Sequence, residues 1–397
     1  MTKNSIVSTP YGLETVFQTE LKGRLIYYVS KPGLPNWNQI SPSMELIAEN
    51  VFIPPDARIL YIGSRHGAGA VALARQARHK ELWLYETNHI ALPMAKRTFD
   101  LNLVGNVTIC DEIDLPETQK QSFDVVIIDL PKGRLLAQNW LLKADEALKV
   151  GGHLYLAGSN NYGIQTVIKD AESLLGASGI LGYKKGNRIV RFLKNSIPQN
   201  QPIWASQPGI APRTWYAMDV IIKDHPLKIF SLPGVFSYDR LDPGTVLLLD
   251  VSVIQAGSHI LDLGCGYGII GLIASRSGAA QVDFVDVDFS AIAASRKNVM
   301  VNRIQGAHVI PSDVLQSVSD RQYDQILTNP PFHSGKSVDY QMAQAFIDQS
   351  YQHLKPGGQL ILVANQFIRY ENLMKSLFRR TDVLVETSGY RVWQAIK

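Results

Sequence analysis

Only two cysteines, Cys110 and Cys265, occur among 397 residues, and they lie far apart. A disulfide framework is therefore not indicated, and a reducing cytoplasm is the expected setting. No apolar run approaches the roughly 20 residues of a membrane span, so no membrane partner is expected. The opening residues, MTKNSIVSTPYG, lack the apolar core of a secretory leader. Histidine, cysteine and carboxylates nowhere recur at metal-ligand spacing, which predicts no metal. Acid is missing from one long stretch. Between Ser173 and Met218 there is no Asp or Glu, while Lys184, Lys185, Arg188, Arg191, Lys194 and Arg213 fall inside it. Residues 1–200 hold 22 of the 39 basic and 18 of the 35 acidic residues, so the whole net charge of +4 resides there. An acid-free stretch of that length points to an anionic partner such as RNA, with Lys184, Lys185 and Arg188 as candidate phosphate contacts.

What is present is one plan written twice. RILYIGSRHGAGAVALAR (58–75) precedes HILDLGCGYGIIGLIASR (259–276) by 201 residues, each reading as buried strand, glycine turn and helix. LWLYETN (82–88) matches DFVDVD (283–288), pairing Glu86 with Asp286. Helices then end at Asn102 and Asn302. FDVVIIDLPKG (123–133) aligns with YDQILTNPPFH (323–333), and LKVGGHLYLAG (148–158) with LKPGGQLILVA (354–364). This alternation predicts an α/β fold: two tandem Rossmann-like domains with doubly wound, mostly parallel sheets. The expected limits are a first domain at 1–194, a Pro-, Gln- and Ser-rich linker at 195–214 and a second domain at 215–397. The ending TDVLVETSGYRVWQAIK reads as a hairpin that adds an antiparallel final strand, a topology that suits a class I methyltransferase better than a dehydrogenase.

The turn after Ile260-Leu261-Asp262-Leu263 carries Gly264, Cys265, Gly266 and Gly268 ahead of a helix. Missing Cβ atoms let backbone approach a ligand, and the helix start favours an anion. Gly266-x-Gly268-x-x-Gly271 also satisfies a dinucleotide fingerprint, with Asp286 placed as its ribose acid, so glycines alone leave a dehydrogenase open. Asp262, two residues before the first glycine, is placed to reach the amino-acid end of S-adenosylmethionine. Asp286, beside Val287, is expected to bind both ribose hydroxyls, and Asp288 to cap the next helix. Asp313, beside Val314, is a candidate acceptor for the adenine amine, against a plain loop aspartate. Cys265 has no dedicated base and reads as a small buried residue of the turn.

A buried strand then stops on Asn329-Pro330-Pro331-Phe332. Proline ends the ladder and fixes the direction of the carbonyl before it. A hydride-transfer site has no use for such a corner, whereas a methyltransferase acting on a planar amine does. The Asn329 Oδ1 and the Pro330 carbonyl can accept both amine hydrogens and favour the charge that develops on nitrogen. Phe332 offers a stacking face to a base flipped out of its helix.

These residues, with LPGVFSYDRLDPGTVLLL (232–249) and the ending GYRVWQAIK, resemble the bacterial ribosomal RNA guanine-N2 methyltransferases of the RsmC and RlmG type. The resemblance is strong from about Trp215 onward and weaker before it. It implies S-adenosylmethionine as cofactor, ribosomal RNA or a ribosomal subunit as partner, and Phe236 beside Phe332 on the substrate side. It also implies that the first copy aids RNA binding and folding. That copy departs at each functional position: Tyr61 for Asp262, Arg65 for Gly266, Asp129 for Asn329 and Lys132 for Phe332. Adenine N6 or protein glutamine methylation, a Rossmann oxidoreductase and a silent RNA-binding scaffold are the remaining readings.

Overall fold

The computed structural model describes residues 10–76, 81–196, 200–331, 333–334, 337–338, 340–368 and 370–397, without the side chains of 333–340. Among these residues no helix is long and apolar enough to cross a membrane. Two seven-stranded sheets share one strand order. Across the second sheet it runs Ala307–Pro311, Gln281–Asp286, His259–Leu263, Tyr323–Thr328, Leu354–Asn365, Tyr390–Ile396 and Arg380–Glu386. Tyr390–Ile396 is antiparallel to both neighbours, as its turn-flanked sequence predicts. The first sheet repeats this from Val107–Cys110 at one edge to Gly179–Lys184 at the other. Its central strand Phe123–Asp129 is buried almost throughout, because helices cover both faces; hence the unbroken VVII run in place of alternation.

In each half the chain order reverses between the first and fourth strands, His259–Leu263 and Tyr323–Thr328 in the second. The crevice beyond the strand ends at such a switch point is where an open α/β sheet binds ligands. Helices Pro42–Asn50 and Pro243–Val251 start on the same chemistry. Ser41 and Asp242 accept the backbone N–H of Met44 and Thr245, with proline at the first helical position.

Two further elements have no counterpart in the sequence reading. Hairpins Thr15–Leu21/Arg24–Ser30 and Tyr216–Ile222/His225–Ser231 precede the two domains. Their two-residue turns place Lys22-Gly23 and Lys223-Asp224 at positive φ, matching the twist of the strands they join. Asn102 and Asn302 fasten these hairpins: the Asn302 side chain accepts from Lys228 N at 3.0 Å and donates to Lys228 O at 2.8 Å. The stretch 195–214 is more than a tether. Ala205 and Ile210 join the core of the first half, and Asn139 Nδ2 donates to Ile210 O at 2.9 Å.

The halves meet along a two-fold seam. His89 N donates to Val287 O at 2.8 Å, and Phe289 N to Thr87 O at 2.7 Å, around an antiparallel bridge between Asn88 and Asp288. Each partner differs from its counterpart by 200 residues, so the contact exchanges one copy for the other. The rings of His89 and Phe289 meet edge to face, 5.9 Å apart. The strand ends of the two sheets consequently face each other across the seam.

Candidate active site

A cavity of about 440 Å³ opens at the switch point of the second half, within the range of small-molecule sites. Gly264, Cys265 and Gly266 form one wall, Asp286, Val287 and Asp288 the next, Asp313 and Val314 the third, and Asn329, Pro330, Pro331 and Phe236 the fourth. Most of the expected site residues are thus brought together. Gly264 and Gly266 lie at φ 74° and 57°, a region that disfavours side chains. A Cβ on Gly266 would meet nothing closer than Val235 at 3.8 Å, so the missing side chain leaves room inside the cavity.

Asp286 receives the amides of Gly266 and Asp288, both at 2.9 Å, and burial pushes its carboxyl up to about 6. Asp288 caps helix Phe289–Val301, accepting from Ser290 N at 2.6 Å. Cys265 is buried, and burial raises its thiol well above the usual range, so it has no thiolate character. Asp313 is held from the first half: Tyr11 donates to Oδ1 at 2.7 Å, and Lys31 pairs with Oδ2.

Two expected cofactor residues lie elsewhere. Asp262 is fully buried behind the wall, where Oδ2 accepts from Gly271 N at 2.8 Å. With Oδ1 unpartnered, burial raises its carboxyl to about 7. It anchors the helix start rather than lining the cavity. Gly268 is also outside the lining; it leads into helix Ile269–Arg276 in the left-handed region, and a Cβ there would strike Ser295 Oγ at 2.8 Å. Phe332 lies outside the described residues.

Asn329 reveals a device that its motif does not spell out. Its Nδ2 donates to Asp242 Oδ2 at 3.0 Å and to Thr245 Oγ1 at 2.8 Å. With both acceptors on the nitrogen side, the amide is oriented and Oδ1 is kept as an acceptor. The same Asp242 oxygen caps the helix start at Thr245 N, 2.7 Å away. The signal for this pair was Asp242-Pro243-Gly244-Thr245, which reads locally as a helix start only.

Comparisons with known proteins identify the family. The model described as Methyltransferase small domain matches residues 26–186 and again 226–394. The chain belongs to this family. Ribosomal RNA small subunit methyltransferase C of Pseudomonas entomophila is 35% identical over 286 residues, 72% of this chain and 82% of that protein. Its namesake from Psychromonas ingrahamii is 34% identical over 276 residues, 69% of this chain and 76% of that protein. The Thermus thermophilus 16S rRNA guanine-N2 methyltransferase RsmC, solved with AdoMet and guanosine, superposes with a TM-score of 0.79. It is 27% identical, and the match covers 96% of this chain and 98% of that one.

Set against this family, the first half keeps the backbone of a site and fills its space. Arg65 sits at φ 55°, nearly the value of Gly266, and its N–H donates to Glu86 Oε1 at 2.9 Å as Gly266 donates to Asp286. Its guanidinium lies 3.3 Å from Ser41 Oγ and 3.4 Å from Asp129 Oδ2, occupying the ground a cofactor would need. Tyr61, fully buried, replaces Asp262. Burial pushes Glu86 up to about 7.

The acid-free stretch proves to be acid-free in sequence only. Lys184 pairs with Glu45 and Glu49 of helix Pro42–Asn50 at 3.2 and 3.1 Å. Lys194 is buried against Asp145, and Arg213 pairs with Glu146 and Glu117. Arg188 stacks over Tyr183, and Lys185 occupies the turn of the edge hairpin. None of the three proposed phosphate contacts lines the cavity. Among the described residues no cluster of three or more His, Cys, Asp or Glu is arranged to hold a metal.

Proposed function

We propose that this protein transfers a methyl group from S-adenosylmethionine to N2 of one guanine in small-subunit ribosomal RNA. The observation that carries the proposal is the Asn329 amide, which lines the cavity beside Pro330 and is held through Nδ2, leaving Oδ1 as its acceptor. A planar exocyclic amine has its lone pair delocalised into the ring. Two acceptors on its N–H bonds hold the nitrogen and favour the positive charge that attack creates. No base is needed in that step, because the proton leaves once nitrogen is cationic.

S-adenosylmethionine supplies the electrophilic methyl group. The cavity fits it by its donor and acceptor set: the carboxylate of Asp286 suits a ribose diol, that of Asp313 an adenine amine, and Gly264 and Gly266 leave space along their own wall. Asp313 already accepts from Tyr11 and Lys31, and a carboxylate has lone pairs for a further donor. The second half carries the chemistry, and the first, with its site closed by Arg65, supports it and the RNA. Work on ribosomal RNA places the protein in the cytoplasm, on free RNA or on a ribosomal particle.

Incubation of purified protein with S-adenosylmethionine and unmodified small-subunit RNA, followed by nucleoside mass spectrometry, tests this directly. N2-methylguanosine is the expected product. N6-methyladenosine, or methylation of protein glutamine alone, would refute it.

A further inference from the structure

We infer that Lys132, from the closed first half, serves the active site of the second as a phosphate contact for the RNA strand carrying the target guanine. The inference rests on the guanine methyltransferase reading above. Lys132 is the fourth residue of the first copy's Asp129-Leu130-Pro131-Lys132, so within its own domain it replaces the stacking ring of the active motif. The two-fold seam turns that loop toward the opposite sheet, and Lys132 lines the same cavity as Asn329, Pro331 and Phe236. The packing agrees: a Cβ on Gly234, two residues before Phe236, would lie 3.1 Å from Leu136, in helix Arg134–Ala147, which starts two residues after Lys132.

Charge and exposure say what the ammonium meets. Among the described residues it is the sole Lys or Arg lining the cavity, and among them it has no hydrogen-bond or ion-pair partner. The nearby Arg134 is already held by Asp170 at 2.7 Å, and Lys184 is bound to two glutamates. An unpaired cation is thus placed at the substrate wall. Lys132 is exposed, as is Phe236 at 60%. The two are therefore placed at the exposed rim of the cavity, where an RNA backbone would pass. An ammonium is a point charge suited to a phosphate, which positions a strand without reading its sequence.

The test compares the full-length Lys132→Gln, Lys132→Glu and Lys132→Arg proteins with wild type, using a fragment of small-subunit RNA. Lys132→Gln should weaken RNA binding about 3–10-fold and make the slope of log Kd against log salt shallower by about 0.7, the value for one single-strand phosphate. Lys132→Glu should bind more weakly still, Lys132→Arg should recover wild-type affinity, and S-adenosylmethionine affinity should stay within about twofold. An unchanged RNA affinity and salt slope overturns the inference. So does a loss confined to S-adenosylmethionine affinity, which would assign the ammonium to the cofactor's carboxylate. The identity of the wild-type product is read separately, so failure of the functional reading is distinguishable from failure of this one.

Discussion

Replacing Asp242 by alanine removes two things that one oxygen supplies: the cap of helix Pro243–Val251 and an acceptor for Asn329 Nδ2. Loss of the cap costs about 0.5–2 kcal/mol of folding stability. The bond to Asn329 is charge-assisted, worth about 1.5–3 kcal/mol, and its loss frees the amide to turn its nitrogen toward the substrate amine. If that preference is spent in the transition state, turnover falls by about 10–100-fold, at 1.36 kcal/mol for each factor of ten. Asp242→Asn keeps a capping oxygen and an acceptor and should recover most of the activity. Thr245→Val, which removes the acceptor at 2.8 Å and the hydroxyl's own donation to Asp242 Oδ2 at 3.1 Å but keeps the Asp242 acceptor, should lose less than Asp242→Ala. The assay is initial rate at saturating S-adenosylmethionine, with cofactor affinity by calorimetry and folding by thermal melts. Folded Asp242→Ala protein with turnover within twofold of wild type would refute the clamp. So would Asp242→Asn as inactive as the alanine variant.

Asn329→Ala should lower turnover by about 10²–10³-fold while cofactor affinity changes by less than about threefold; equal losses in both would place Asn329 on the cofactor instead. Arg65→Ala should cost about 3 kcal/mol of stability by stranding the buried Asp129, measured by urea unfolding, with calorimetry still giving one cofactor per chain. A second site appearing in that variant would show that Arg65 alone closes the first half. Asp286, held up to about 6 by burial, must ionise to receive ribose hydroxyls well. Cofactor affinity should therefore be full above pH 7 and fall as pH drops through about 6, and Asp286→Asn should abolish that step. A step that persists in Asp286→Asn would assign it to another group.

The duplicated strands, the glycine turn and the end of the strand at Asn329 were legible because each is a local pattern: apolar runs, glycines and prolines. Asp288 as a cap was legible for the same reason. Asp262 was misplaced because spacing reports sequence distance, whereas its carboxylate turns inward to Gly271 N and never reaches the cavity. Tyr11 and Lys31 meet Asp313 across 302 and 282 residues, and no local pattern announces such a contact. The same blindness made the acid-free stretch look free, because the glutamates that neutralise Lys184 come from a helix some 135 residues earlier. The hairpins left little trace, because their exposed faces carry apolar residues such as Val16, Leu25 and Ile221, which blur the alternation.

The centre of the seam between the halves is made of main-chain groups. An N–H of residue 89 and a carbonyl of residue 287, with their counterparts at 289 and 87, are present whatever side chains those positions carry. Recognition written in backbone is indifferent to substitution, provided the local path of the chain survives. A copy can therefore exchange aspartate for tyrosine and glycine for arginine in its own crevice and still dock at the same angle. A copy whose own crevice is filled by Arg65 can be released from chemistry without being released from position, and its surface loops become free material for shaping the neighbouring crevice.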